Sequence, residues 1–230
     1  MKKAIVFVFV LSIIAVSDIL IYDDFDDGNA EGWLEVPLGA TYEVVGGRYH
    51  FSHTTPDTAF AASLTGDQFG SMTVPSYSIR TKIEIESGDV TGVIARYSIF
   101  SNSGYAVTLL TEFGGLLAIS KMDQGELEVL AFSFTSIVQG QEYWVRFELN
   151  ESDLGAKIWT GSVSLEPDNW LITVVDTAIQ NPGSVGLLSI DENSGGTATL
   201  SAWFDEFMVE DDLSLSLSPN TWASIKSMGI

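Results

Sequence analysis

Apolar and polar residues alternate with a period of two along most of the chain, from residue 22 to about residue 209. This period puts successive side chains on opposite faces of a strand, whereas an amphipathic helix needs apolar residues every three or four positions. Turn signals such as Gly46-Gly47, Ser87-Gly88-Asp89 and Asn181-Pro182-Gly183 separate the runs. A dozen or so short strands at this spacing predict an all-β sandwich or jelly roll.

The strand that the rest of the chain is built around covers residues 202–209, Ala-Trp-Phe-Asp-Glu-Phe-Met-Val. It has apolar residues on both faces and carries Asp205 in its middle, next to Glu206. Because burying an unpaired carboxylate is costly, we expect a cation beside Asp205. A second acidic cluster, Asp23-Asp24-Phe25-Asp26-Asp27, lies at the other end of the domain. We therefore expect the first and last strands to pair and to close the sandwich.

The two ends of the chain differ from this alternating region. Residues 1–17 have a basic start followed by a short apolar run, with Ala15 and Ser17 at the spacing of a signal-peptide cleavage site. We predict a signal peptide there, a secreted or cell-surface protein, and no stable membrane insertion after cleavage. A membrane anchor is the alternative, although the run is shorter than the ~20 residues that span a bilayer. The domain is then 18–212, and 213–230 form a tail in which Asn220 and Thr221 can cap a short helix.

Charge and composition exclude several functions. The chain has 31 acidic and 10 basic residues and a formal net charge of −21. Nucleic acid is excluded as a partner because binding phosphates needs a basic surface. Cysteine is absent from the sequence, which excludes disulfides and thiolate metal sites. The many carboxylates leave room for divalent cations.

Several short motifs resemble, in the same order, those of concanavalin A-like lectin/glucanase domains of the laminin G-like bacterial kind. They begin with Asp24-Phe25 and Gly32-Trp33, and they end with Phe204-Asp205-Glu206-Phe207. Between them lie Gly46-Gly47-Arg48-Tyr49, Gly140-Gln141-Glu142-Tyr143-Trp144-Val145-Arg146, Ala156-Lys157-Ile158-Trp159, Glu166-Pro167-Asp168-Asn169-Trp170 and Gly183-Ser184-Val185-Gly186-Leu187. The resemblance covers about residues 22–210 and implies a two-sheet antiparallel jelly-roll sandwich with one concave face. The superfamily includes lectins, adhesins and hydrolases, so the fold does not settle the function.

The resemblance also implies a structural calcium ion on the convex side, where the first and last strands meet. Carried over by motif, its ligands are Asp205, the backbone of Asp23 and Asp24, and Gly47. Calcium accepts such irregular sets of side-chain and main-chain oxygens. In the alternative interpretation, Asp205 caps a backbone group or pairs with Arg48.

The concave face is the expected place for a glycan. Sugars stack on aromatic rings and bind through polar side chains, and an aromatic body with a polar tip suits such a surface. The candidates on strands expected to line that face are Arg80, Arg96, Tyr97, Tyr105 and Trp159. Strand alternation turns Tyr97 away from Arg96, so not all of them can serve together. Trp33, Trp144 and Trp203 are expected to pack in the core or under strand edges.

Evidence for catalysis is weaker. Hydrolases of this fold carry the strand motif Glu-x-Asp-x-x-Glu, and the nearest match is Glu84-Ile85-Glu86. These two carboxylates share a strand face, as a retaining glycosidase needs, but the third acid is missing and Lys82 lies on the same face. His50 and His53 show no readable triad. We therefore predict a non-catalytic carbohydrate-binding domain that binds a polysaccharide or glycan. An adhesion domain with a cell-surface protein partner and a polysaccharide-active hydrolase or lyase are the alternatives.

Overall fold

The computed structural model describes residues 18–36, 39–65, 72–192 and 196–211. Within these residues the chain forms fifteen strands and two short 3-10 helices, Glu112–Gly114 and Val163–Leu165. The strands are β1 Ile19–Asp23, β2 Leu34–Val36, β3 Thr41–Val45, β4 Arg48–Thr55, β5 Ala59–Thr65, β6 Tyr77–Ser87, β7 Val90–Ser98, β8 Ser103–Leu110, β9 Leu116–Asp123, β10 Glu126–Phe134, β11 Glu142–Asn150, β12 Asp153–Trp159, β13 Ile172–Val175, β14 Ser184–Asp191 and β15 Ala198–Glu210.

The predicted signal peptide and the predicted C-terminal helix lie outside the described residues, so both stay predictions. In the described part of the chain, no helix has the length and apolar character needed to cross a membrane.

The strands form two antiparallel sheets that face each other. Sheet A has the order β13-β12-β11-β6-β15-β4-β3, and β1 also pairs with β15. Sheet B has the order β10-β9-β8-β7-β14-β5-β2. In the stacked layers, β4 lies against β5 and β15 lies against β14. The all-β, two-sheet jelly-roll prediction is confirmed.

The core lies between the sheets because alternate residues of nearly every strand point inward. In β6 these are Ile79, Ile83 and Ile85, and in β15 they include Phe204 and Phe207, all at most 1% exposed. Burying one side chain of this size contributes about 1.5–3 kcal/mol as an upper estimate. With so many of them, the domain needs no disulfide.

The expected closure by the first and last strands is also confirmed. Strand β1 pairs with the end of β15, from Ile19 opposite Glu210 to Asp23 opposite Phe207. Beside this strand pair, the rings of Trp33 and Phe207 pack edge to face with their centroids 5.0 Å apart. Trp33 packs against the core, as predicted.

Candidate functional site

The outer face of sheet B forms an open groove of about 810 Å³. Residues from all seven strands of the sheet line it, so this face is the concave one. The lining is mainly aliphatic and aromatic: Val36, Phe60, Ala62, Leu64, Val90, Ile94, Tyr97, Ile99, Asn102, Gly104, Tyr105, Ala106, Thr108, Leu110, Leu116, Ala118, Ser120, Met122, Gly125, Leu127, Val129, Phe132, Phe134, Leu188, Ile190 and Glu192.

The groove follows from the sizes of the residues on this face. Small residues stand at its centre, with Ala62 on β5, Ala106 on β8 and Ala118 on β9. Larger side chains stand along the edge strand β10, where Phe132 is 55% exposed and Phe134 is 68% exposed. A floor of small residues beside a wall of large ones leaves room for a ligand.

A second, polar cavity of about 320 Å³ lies beside the turn between β7 and β8. Asn102 lines the groove while its neighbours Ser101 and Ser103 line the cavity, so the two sites share the turn between β7 and β8. The cavity is lined by Arg96, Ser98, Ser101, Ser103, Asp123, Ala178, Ile179, Asn181 and Pro182. Sequence reasoning missed it because its walls come from three separate turns.

The side chains of Tyr97 and Tyr105 lie on opposite faces of sheet B. Tyr97 lines the groove and donates a hydrogen bond from its hydroxyl to Asn102 Oδ1 at 2.9 Å. Tyr105 is 1% exposed, and its ring belongs to the core. Its hydroxyl donates to Asp176 Oδ1 at 2.5 Å. Tyr105 therefore offers no side chain to a ligand on the concave face, which corrects that expectation.

Arg96 does not reach the groove floor either. Its guanidinium donates to the carbonyl oxygens of Pro75, Ile179 and Glu151 at 2.7–2.8 Å, and the residue is 1% exposed. A register break between Ala95 and Ser98 interrupts the strand alternation, and Arg96 has φ 47°. The residue borders the polar cavity as the clamp that holds three loops together.

Arg80 and Trp159 lie on sheet A, because their strands β6 and β12 belong to that sheet. The Trp159 ring stacks on Trp144 with the centroids 5.9 Å apart, and Trp159 is 7% exposed. Arg80 lies 3.4 Å from Glu166 in an ion-pair network on the outer face of sheet A. The five predicted glycan residues therefore do not share a face, and the placement of Arg80 and Trp159 on the concave sheet is wrong.

Glu166 is the centre of this ion-pair network. Its carboxylate lies 2.8 Å from Lys157 Nζ, 3.3 Å from Arg146 and 3.4 Å from Arg80. Burial alone would raise the pKa of Glu166, but the hydrogen bond from Lys157 and the charges of Arg146 and Arg80 hold it below its ordinary 4.5. A carboxylate with a depressed pKa stabilises the fold above its unfolded pKa, and this stabilisation is lost as the pH falls.

We expect Glu166→Gln to destabilise the domain by about 1–3 kcal/mol at pH 7, because the charged hydrogen bonds are lost. The difference from wild type should shrink as the pH falls below the ordinary 4.5 and through the lower pKa of folded Glu166, where the wild-type carboxylate also becomes uncharged. Denaturant unfolding at pH 7 and at acid pH measures both values. Glu128→Gln is the control, because Glu128 pairs with Lys121 but is 63% exposed. An equal deficit for Glu166→Gln at both pH values contradicts this explanation.

The cation expected beside Asp205 is Lys82. Its ammonium lies 3.0 Å from Asp205 Oδ2, and the register of β6 and β15 places the two residues opposite each other. Burial would lower the pKa of Lys82, but the hydrogen bond to Asp205 and the charges of Asp205 and Glu142 raise it. The other oxygen, Asp205 Oδ1, accepts from the Glu206 amide at 2.7 Å. Of the alternative interpretation of Asp205, the backbone contact is observed and the pairing with Arg48 is not, since Arg48 binds Glu84 at 2.8 Å.

The side chains of Asp23 and Asp24, whose backbones are further predicted calcium ligands, accept hydrogen bonds from nearby groups. Asp23 accepts hydrogen bonds from the Phe25 amide at 2.9 Å and from Trp33 Nε1 at 2.7 Å. Asp24 accepts from the Asp26 amide at 3.2 Å. Among the described residues, no three His, Cys, Asp or Glu side chains form a group that could hold a metal ion. Asp205 is the single side chain of the predicted calcium site, and its two oxygens are bound by Lys82 and by the Glu206 amide. Lys82 therefore supplies the cation at Asp205, and calcium coordination by the main-chain oxygens of Asp23, Asp24 and Gly47 stays a prediction.

We expect Lys82→Met to lower the stability by about 1–3 kcal/mol, because it leaves the Asp205 carboxylate without its cation. A chelator should leave the melting temperature of the wild-type protein unchanged. Thermal melts with and without chelator measure both effects. A melting temperature that falls on chelation and recovers with calcium supports the metal site and contradicts the lysine interpretation.

Glu84 and Glu86 both point outward on sheet A, as strand alternation predicts, and neither faces the groove. Glu84 binds Arg48, and Glu86 accepts hydrogen bonds from Ser201 Oγ at 2.7 Å and Trp203 Nε1 at 3.2 Å. These two hydrogen bonds lower the pKa of Glu86. A general acid needs a raised pKa, so Glu86 is unsuited to that role.

The structure also brings His50 into a hydrogen-bonded chain that the sequence did not reveal. His50 Nε2 lies 2.8 Å from Ser201 Oγ, and His50 Nδ1 lies 3.3 Å from Glu43 Oε1. A nucleophilic serine also needs backbone amides free to form an oxyanion hole. Ser201 lies in β15 between β4 and β6, where its backbone pairs with both neighbours. Glu43, His50 and Ser201 therefore follow one another as in a catalytic triad, but Ser201 has no oxyanion hole beside it among the described residues.

Comparisons with known proteins show the fold. No protein-family model matches the chain, and no curated protein matches it. Carbohydrate-binding module CBM66 from Bacillus subtilis is 18% identical, with a TM-score of 0.59 over 78% of this chain and 95% of that one. The Bacillus licheniformis β-glucanase is 9% identical, with a TM-score of 0.62 over 87% of this chain and 100% of that one.

A third similar structure is a larger protein, the GH43 protein BlXynB of Bacillus licheniformis. It is 17% identical with a TM-score of 0.57, and the match covers 83% of this chain but only 39% of that protein. Together these similarities show that the chain has the two-sheet jelly-roll fold of these proteins. Identities this low carry the fold and not the activity.

Proposed function

We propose that the protein is a non-catalytic carbohydrate-binding domain whose ligand lies along the groove of sheet B. The observation that carries this proposal is an open, apolar groove that shares the turn between β7 and β8 with a polar cavity. Such a pair of sites suits a chain-like ligand whose terminal unit enters the cavity while the next units lie in the groove. The structural neighbours that are carbohydrate-binding modules support this class of ligand.

The cavity offers the groups that grip sugar hydroxyls. Ser103 Oγ donates to the Ser101 carbonyl oxygen at 3.1 Å, and Asp123 Oδ1 lies 3.4 Å from the same hydroxyl. Asn181 adds an amide, which both donates and accepts. Along the groove, the exposed rings of Phe132 and Phe134 and the phenol of Tyr97 offer apolar surface to the C–H faces of sugars.

We also propose that the domain works outside the cell, on the basis of the signal-peptide pattern in residues 1–17. Cleavage before Asp18 would leave its new ammonium group 2.6 Å from Asp211 Oδ1, so the mature terminus would gain an ion pair. Sequencing the N-terminus of the exported protein tests this.

The test of the function is depletion of the purified full chain by a panel of insoluble and soluble polysaccharides, with sugar release measured in the same tubes. Selective depletion by one glycan without release of sugar is the expected result. Release of sugar would establish the hydrolase alternative. Failure to bind across a broad panel would contradict the proposal.

A further inference from the structure

We propose that the glycan bound in the groove is an uncharged polysaccharide that carries ester-linked acyl groups, such as O-acetyl groups, and that the groove receives these groups. This inference rests on the proposed function. It names the substrate class of the same site and adds the two hydroxyl groups that would recognise the ester.

The apolar character of the groove argues against a bare polysaccharide. Its lining on β5, β7 and β14 includes Ala62, Leu64, Ile94 and Leu188, which form a hydrophobic cluster of their own on this face. An unsubstituted sugar placed there would press hydroxyls against side chains that cannot bind them, which costs about 1–3 kcal/mol for each group. An acyl group changes this balance because its methyl or methylene carbons are stabilised by the same surface.

Two hydroxyl groups in the groove can bind the carbonyl oxygen of an ester. Thr108 lies opposite Ala118, and Ser120 lies opposite Ala106, so the two hydroxyls are diagonal neighbours on β8 and β9. Both residues line the groove, and neither hydroxyl has a side-chain hydrogen bond within the described part of the chain. A hydroxyl can donate to the carbonyl oxygen of an ester. Two donors within an apolar lining are the pattern of a pocket that orients a mostly apolar group.

The negative charge of the protein favours a polysaccharide whose main chain is uncharged. The protein has a formal net charge of −21, so it repels a polymer that carries carboxylates or sulfates. Among the residues that line the groove, Glu192 is the one with a charged side chain. The groove therefore has no cation for an acidic sugar, and an uncharged chain fits it.

The test compares the same polysaccharide with and without its esters. O-acetylated xylan and O-acetylated glucomannan are each divided, and one half is de-esterified with mild alkali. Affinity electrophoresis then measures the binding of the full chain to both halves. We expect binding to at least one acetylated polymer to be about tenfold tighter than binding to its de-esterified half, as one or two hydrogen bonds and a buried methyl predict.

Two variants separate the parts of the inference. Thr108→Val with Ser120→Ala should reduce the preference for the acetylated half to about threefold or less, because the apolar contribution remains. Thr173→Val, on the exposed outer face of β13 in sheet A, is the matched control and should keep the full preference.

Equal binding to both halves, or tighter binding to the de-esterified half, overturns the inference and leaves the carbohydrate-binding function standing. Binding to other glycans of the panel but to neither acetylated polymer has the same meaning. If no glycan binds at all, the proposed function fails together with the inference.

Discussion

Replacing Arg96 with leucine should destabilise the domain by about 4 kcal/mol, the largest effect on stability that we expect from a single substitution. The guanidinium holds the carbonyl oxygens of Pro75, Glu151 and Ile179, which come from three separate parts of the chain. Leucine would leave all three carbonyls without this donor. Each buried acceptor that loses its partner costs about 1–3 kcal/mol, so a total near 4 kcal/mol allows for partial access of water.

The same clamp explains why Arg96 can stay in the left-handed backbone region, which residues other than glycine rarely adopt. Three strong hydrogen bonds outweigh a backbone strain of about 1–3 kcal/mol. Burial lowers the pKa of Arg96, and arginine nevertheless stays charged at neutral pH because its pKa is so high.

Thermal and denaturant unfolding measure the effect of Arg96→Leu. A loss of 4 kcal/mol corresponds to a fall of roughly 8–16 °C in melting temperature for a domain of this size. Arg48→Leu is the matched control, because Arg48 makes one ion pair and one contact with the Trp203 ring on the outer face of sheet A, holds no backbone carbonyl among the described residues, and has a side chain that is 28% exposed. The control should lose at most about 1 kcal/mol. Equal losses for both variants would contradict the clamp.

Most of the fold could be predicted from the sequence because a period of two survives in nearly every strand. The pairing of β1 with β15 was predictable from acidic and apolar patterns at the two ends. The exception is the segment around Arg96, where the register break between Ala95 and Ser98 turns the side chain away from the face that alternation assigns to it. Alternation does not reveal a bulge of this kind in advance.

The candidate site was less predictable because it depends on which strands become neighbours. The cation expected beside Asp205 was a correct prediction, yet its identity as Lys82 needs the register of β6 against β15. The chain from Glu43 through His50 to Ser201 likewise needs β4 to lie beside β15. Arg80 and Trp159 were assigned to the concave sheet when their strands belong to the other one. The order of the strands in each sheet cannot be predicted from the two-residue alternation or from the spacing of the turns.

The groove was missed for a related reason. Its floor consists of small residues on non-consecutive strands, such as Ala62 on β5 and Ala106 on β8. Each of them is unremarkable in its own strand. Only the order of sheet B brings them into the lining of one groove.

The most direct test of the carbohydrate-binding groove is a comparison of two tryptophan substitutions on opposite faces of the molecule. Ala106→Trp fills the centre of the groove with a side chain that points away from the core, so the fold should keep its stability. Thr173→Trp places the same ring on the exposed outer face of sheet A. Thermal melts of both variants confirm that they are folded.

Binding of wild type and both variants is then measured on the glycan that depletes the wild-type protein most strongly. We predict that Ala106→Trp weakens binding by about a hundredfold or more, because a filled groove excludes the ligand and costs about 3 kcal/mol of contact. Thr173→Trp should bind like wild type. If the folded Ala106→Trp variant binds as tightly as wild type, or if Thr173→Trp is the one that loses binding, the groove of sheet B is not the carbohydrate site.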